Sequence, residues 1–388
     1  MLSQEYPSRK RLVYYSRYAF YRPHYAVFES LCKSYDLEGF VITVEKAEIW
    51  KVYSADGYFT PASAGLRGTP DFVTSLPRNI SLEKQTQLLR QRLEEIRPDF
   101  IWSDEEPNSY FVNLMLRWYF WQKSPRIVID AVENMWCVPS GYRGKVELLR
   151  RRVLWSRYNG VLAVASKSLE AVRRLGVPSS VPGRVAWLPI VPHECSNRIS
   201  RNLFENSKGD FIILFAGRII AAKGWRVLLA AMTMLPENFK CIIAGAGEEE
   251  AELRLWVETT SLRNRVRFLG VLPDQEMWSL YRAVDVFVLP SLTTPLWTEQ
   301  FGRVLGEAMA SGVPVIGSSS GAIPEVISDC GVIVEENNPN LLAEAIKELA
   351  ADPGRRETLG EKGRRRYEQH FSCKAYVAQL AAALGISS

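Results

Sequence analysis

Residues 284–317, VDVFVLPSLTTPLWTEQFGRVLGEAMASGVPVIG, read as a strand, a loop, a helix and a second strand. VDVFVLP and VPVIG are short apolar runs rich in β-branched residues, the composition of strands buried on both faces of a parallel sheet. Helical periodicity starts near Phe301 and stops at Gly312, which suits a helix C-terminal cap. Two such strands joined by a helix form a βαβ unit, so this stretch alone predicts a parallel α/β sheet.

The pattern extends in both directions. Toward the C-terminus GVIVE follows, and FIILFAG, KCIIAGAG and RVRFLG precede the quoted stretch. The first half repeats the scheme with RLVYYS, GFVITV, DFIWS, RIVIDAV, GVLAVAS and RVAWLPI. Helix-length segments separate these runs, which predicts two doubly wound α/β domains of Rossmann type. The 388 residues are too many for one ordinary core, in keeping with that division. Residues 189–210 are polar, contain proline and lack periodicity, so they read as the linker. Ligands of open parallel sheets sit at the carboxyl ends of the strands, and two sheets facing each other put the expected site in the cleft between them.

Composition narrows the function. Residues 1–200 hold 28 Lys and Arg against 20 Asp and Glu, whereas residues 201–388 hold 20 against 23. The excess of positive charge in the first half suits an anionic partner such as a membrane surface. The segments LRWYFWQ and GYRGKVELLRRRVLWSRYNG concentrate it, with Arg143, Lys145, Arg150, Arg151, Arg152 and Arg157 beside aromatic residues. No nucleic-acid-binding module accompanies these charges. The six cysteines form no C-x-x-C, which excludes a zinc cage of that spacing and fits a reducing cytosol. No signal-peptide pattern or run of about 18 apolar residues is present, so the expectation is a cytoplasmic protein, at most peripheral to a membrane.

Chemistry concentrates after two strands of the second half. GRIIAAKGW follows FIILFA and holds Gly217, Arg218, Lys223 and Gly224. Two cations in a loop that opens on glycine match the charge of a diphosphate. In the quoted stretch Glu299 stands in the loop ahead of the helix. The amides of Gln300, Phe301, Gly302 and Arg303 make an N-terminal anion site. Glu307 shares an apolar face with Val304, Met309 and Ala310, where a carboxylate without a partner is costly. The two hydroxyls of a ribose would suit it.

Taken together, GR…KG and E-Q-F-G-x4-E-A-M-A-S-G resemble the retaining nucleotide-sugar glycosyltransferases of the two-domain GT-B fold, glycosyltransferase family four, with its E-x7-E signature. The likeness covers about residues 212–331 and includes IIAGAGEE, VRFLGVLPDQEMWSLYRAVDVFVLPS and GAIPEVI. It implies that Arg218 and Lys223 hold the donor diphosphate, Glu299 meets the transferred sugar and Glu307 the ribose. It further implies that Gly245 to Gly247 and Gly270 with Val271 flank the base. Transfer would proceed with retention, without a metal ion or a further cofactor, from a nucleoside-diphosphate sugar to a glycan or lipid-linked acceptor. The implied domains are 1–195, completed by a C-terminal helix at 372–388, and 205–371.

The first half departs from the family. Arg22, Pro23 and His24 stand where it usually has a glycine-rich loop. His24, Glu105, Glu106 and Asn134 are candidates for contacts with the acceptor or sugar, since they follow strands. Asp104, Glu105 and Glu106 make no D-x-D, and three adjacent carboxylates pointing in different directions are a poor metal cage. Two other readings stay open on the same residues. One is a sugar-nucleotide epimerase or phosphorylase on this fold, the other a non-catalytic nucleotide-sugar-binding subunit.

Overall fold

The structure is a computed structural model that describes residues 9–16, 22–44, 73–77, 80–133, 140–193 and 209–386. Asn134 and most of the linker, residues 194–208, lie outside them. The strands are β1 (Arg11–Ser16), β2 (Glu38–Val44), β3 (Val73–Leu76), β4 (Phe100–Ser103), β5 (Arg126–Ala131), β6 (Gly160–Ala163), β7 (Gly183–Val185), β8 (Phe211–Ala216), β9 (Phe239–Ala244), β10 (Val266–Gly270), β11 (Val286–Leu289), β12 (Val315–Ser318) and β13 (Val332–Val334). The helices are α1 (Arg22–Ser34), α2 (Leu82–Ile96), α3 (Tyr110–Trp118), α4 (Gly141–Trp155), α5 (Ser166–Leu175), α6 (Trp225–Thr233), α7 (Glu250–Thr259), α8 (Asp274–Tyr281), α9 (Arg303–Ala310), α10 (Ile323–Ile327), α11 (Pro339–Ala351), α12 (Pro353–Arg366) and α13 (Cys373–Leu384).

Two compact units result. One runs to Pro189 and takes back Cys373–Ser388; the other is Ile190–Ser372. The first holds a seven-stranded sheet in the order β3-β2-β1-β4-β5-β6-β7, the second a six-stranded sheet in the order β10-β9-β8-β11-β12-β13. All registered pairs are parallel. Both orders reverse beside the first strand of their unit, at β1/β4 and at β8/β11. That reversal opens a crevice at the carboxyl ends of those strands.

Alternation along the strands makes two cores on one sheet. Val13, Tyr15, Ile101, Ile127 and Ile129 face α2, α3 and α5, and Leu12, Tyr14, Phe100, Trp102 and Val128 face α1 and α13. This is the period of two that a sheet covered on both sides requires. Local signals place the helix starts: Ser81 Oγ accepts the Lys84 amide, and Asn338 and Asp352 cap α11 and α12 ahead of Pro339 and Pro353. The helix read from Phe301 begins at Arg303 instead. Gly302 has φ 72°, a left-handed conformation that a right-handed helix cannot continue. The Phe301 side chain is buried, edge-on to Phe371 at 5.6 Å.

Candidate active site

In the C-terminal unit the basic loop is fixed by backbone packing. After β8 the amides of Gly217 and Ile219 donate to the Ala244 and Ala246 carbonyls, each at 3.0 Å. A Cβ on Gly245 would lie 2.0 Å from the Gly217 carbonyl oxygen, and one on Gly247 would lie 2.3 Å from that of Ile219. These glycines therefore have a packing role beside the role expected next to a base. Gly270 accepts the Gly245 amide at 2.6 Å, and Val271 after it is exposed. A single turn, Ala221–Lys223, ends at Gly224, whose φ of 71° sets it directly against the Pro290 carbonyl.

That turn delivers Lys223 to Glu299. The Nζ donates to Glu299 Oε2 at 2.6 Å and sits 5.0 Å over the Trp297 ring. Ser291 Oγ, at the end of β11, donates to the same oxygen at 2.8 Å. Glu299 is buried, and its own carbonyl accepts the Ala322 amide at 2.9 Å. Arg218, five residues earlier, is exposed, and its side chain makes no hydrogen bond or ion pair among the described residues. The loop thus carries one cation held by an acid and one cation with its donors available.

Glu307 is buried, and within the protein Tyr281 Oη donates to its Oε2 at 2.9 Å and Arg303 Nε to its Oε1 at 2.6 Å. Arg303 is one turn earlier on α9, the i, i+4 spacing at which helix side chains meet. Burial, with the Glu307 charge behind it, pushes the Tyr281 hydroxyl well above its ordinary pKa, so it stays a donor.

In the N-terminal unit the acidic run divides. Asp104, which the sequence reading weighed only as a metal ligand, accepts from Tyr14 Oη at 2.6 Å and Ser16 Oγ at 3.0 Å and lies 3.3 Å from His24 Nδ1. Glu105 and Glu106 both make hydrogen bonds within the unit. Glu105 bonds to Ser109 ahead of α3, and Glu106 Oε1 accepts the Val132 and Glu133 amides at 2.7 and 2.8 Å. Asp104 Oδ1 and Glu106 Oε2 are buried without a hydrogen-bond partner among the described residues. Burial raises the Glu106 carboxyl to about 7. No group of three or more metal-ligating side chains occurs among the described residues.

His24 also faces Asp130, with Nε2 3.9 Å from Oδ2. Burial opposes its charge, but the hydrogen bond to Asp104 and the charges of Asp104 and Asp130 outweigh it and hold its pKa above the ordinary value. Asp130 is raised to about 7, mainly by burial, against the His24 charge and hydrogen bonds from Tyr376 and Trp102. A raised folded-state pKa stabilises below the unfolded value and is lost as pH climbs through the folded one. Stability of this unit should therefore decline between about pH 4 and about pH 7, and Asp130→Asn should flatten the decline. Unfolding midpoints measured across that range check it; a slope unchanged by the substitution refutes the assignment.

With this geometry in place, comparison identifies the latter half. A family model described as glycosyl transferases group 1 matches residues 197–366. That stretch, less than half of the chain, is thus similar to group 1 glycosyl transferases. An uncharacterised glycosyltransferase of Methanocaldococcus jannaschii is 34% identical over 165 residues, 42% of this chain and 41% of that protein. A GDP-mannose-dependent monoacylated alpha-(1-6)-phosphatidylinositol monomannoside mannosyltransferase of Corynebacterium glutamicum is 35% identical over 167 residues, 42% of this chain and 43% of its own. The alignments thus span less than half the length of these relatives. Over nearly the whole chain the crystal structure of Anabaena HepE in complex with UDP superposes with a TM-score of 0.71, at 19% identity, covering 97% of this chain and 99% of that one. At that identity the likeness is one of fold, the GT-B fold with its two Rossmann-like domains.

Sequence reasoning on the second unit missed the side chains of Ser291, Trp297, Tyr281 and Arg303. Only Arg303 carried a signal, its i, i+4 spacing from Glu307. The others reach the site through tertiary packing that no local spacing encodes.

Proposed function

We propose that the protein is a retaining glycosyltransferase that moves a sugar from a nucleoside diphosphate to a hydroxyl of a glycan or lipid-linked acceptor, without a divalent ion, on the cytoplasmic side of a membrane. The observation that carries this reading is the ion pair between the buried Glu299 and Lys223, which shares its loop with an Arg218 side chain that has no ion pair among the described residues. A diphosphate offers Lys223 more negative charge than one carboxylate does, so its arrival would draw Nζ toward phosphate and release Glu299 Oε2 to a sugar hydroxyl. Arg218 adds a second, bidentate cation.

In the reaction the bond from the anomeric carbon to the phosphate oxygen breaks, and a bond to the acceptor oxygen forms on the same face. The electron pair leaves with the nucleoside diphosphate, whose oxygen takes the proton of the acceptor hydroxyl. Lys223 and Arg218 meet the charge that develops on the departing diphosphate, the type of preorganised electrostatic stabilisation that dominates many enzymes.

A thermal-shift screen with UDP, GDP and ADP and their sugar conjugates tests the reading. The matching nucleotide at a hundred times its Kd should stabilise by about 2.7 kcal/mol. Stabilisation by none of them at saturating concentration rejects it. Chelator should leave transfer within about twofold of its starting rate; a full loss restored by magnesium would reinstate a metal step.

A further inference from the structure

The outer face of α4 belongs to neither set of site residues. Tyr142, Val146, Leu149 and Val153 recur along it at i, i+4, i+7 and i+11, and all four are exposed, Tyr142 to 83%. At 3.6 residues per turn they fall in one stripe about 60° wide. The helix is held from the opposite side, where Gly144 and Trp155 are buried and Trp155 Nε1 donates to Asn113 Oδ1 of α3 at 2.7 Å. The stripe is therefore turned away from the core.

Charge frames it. Lys145 and Arg152 fall along one edge of the stripe and Arg143 and Arg150 along the other, all exposed and without an ion pair among the described residues. The ion pair α4 does make, Arg151–Glu147 at 3.0 Å, lies outside the stripe. Beside it runs a groove of about 790 Å³ between α3 and α4, lined by Phe120, Leu149, Val153, Arg117 and Arg150 among others. Trp121, next to Phe120, is 93% exposed. A helix interior surface would bury such a stripe, and a solvated helix face would replace it with polar residues.

We propose that α4 is a docking helix for an anionic phospholipid bilayer. The apolar stripe enters the boundary between headgroups and acyl chains, and the two cationic edges meet lipid phosphates on either side. A protein partner with an apolar groove would not call for cations along both edges, whereas a negatively charged plane does. No described helix is long and apolar enough to cross a membrane, so this contact is interfacial. The proposal deepens the lipid-linked acceptor reading but stands on α4 alone.

Co-flotation of the full chain with vesicles tests it. Binding is expected with phosphatidylcholine and phosphatidylglycerol in equal parts, and none with phosphatidylcholine alone. Leu149→Glu should lower partitioning by at least about tenfold, and Arg150→Gln with Arg152→Gln by a similar factor that added salt mimics. Leu255→Glu, at an exposed leucine of α7, is the control that should bind like the wild type. All four positions are exposed, so unaltered unfolding midpoints accompany these results. Equal binding to both vesicle types, or wild-type binding by Leu149→Glu, overturns the proposal. A concentration-dependent dimer lost in Leu149→Glu, with no vesicle binding, assigns the stripe to a second copy instead. Donor stabilisation by UDP, GDP or ADP is read separately on the same variants, so failure here and failure of the transfer reading are distinguishable.

Discussion

Lys223→Met is expected to lower sugar transfer by a factor of about a hundred to a thousand and to destabilise the C-terminal unit by roughly 3 kcal/mol. The two losses have different origins. Transfer fails because the cation that meets the leaving diphosphate is gone. Stability falls because Glu299, buried and bonded to Lys223 at 2.6 Å, loses the cation that balances its charge. Removing one member of a buried pair leaves an uncompensated charge, and removing both does not. The double variant Lys223→Met with Glu299→Gln should therefore recover most of the stability and none of the transfer. Steady-state rates and urea unfolding on the three proteins check this. Wild-type turnover in Lys223→Met, or a double variant no more stable than the single one, contradicts the assignment.

The second large effect is expected at Gly224. Its φ is 71°, and an added Cβ would lie 1.8 Å from the Pro290 carbonyl oxygen. Gly312 has nearly the same φ, 75°, with nothing within 4 Å of the added atom. Gly312→Ala should thus cost about 1 kcal/mol, the backbone penalty alone. Gly224→Ala adds a collision with backbone that no side-chain rotation relieves, for a total of about 3 kcal/mol or more. It should also weaken nucleotide binding, because the turn before it carries Lys223. Equal unfolding free energies for the two variants would show that Pro290 can yield, and would remove the loop's claimed rigidity.

Most of the second unit could be read from sequence because its strands are uninterrupted apolar runs with glycine at their ends. VDVFVLP contains β11, and VPVIG contains β12 but for Ser318. The reading missed β3, Val73–Leu76, a four-residue strand at the edge of its sheet in which Thr and Ser break the apolar pattern. It also began α9 two residues early, since periodicity locates a helix but the sign of φ at Gly302 ends it. At the site, residue type and spacing pointed to Lys223, Arg218, Glu299 and Glu307. They did not reveal that Lys223 bonds to Glu299, 76 residues on, or that Tyr281 supports Glu307. Among the acidic trio the reading did not single out Asp104, the member that lies beside His24. Three successive residues leave a strand in different directions, and only the fold shows that Asp104 turns toward Tyr14 and Ser16.

The last helix has a bearing on how the chain matures. Tyr376, Leu380 and Leu384 of α13 complete the core that Leu12, Tyr14 and Trp102 begin. During synthesis the ribosome emits the whole of Ile190–Ser372 before it emits that helix. The contiguous unit can therefore acquire its native packing first, while the one started earliest waits with an apolar face uncovered, reversing the usual order in which the leading domain finishes ahead of the trailing one.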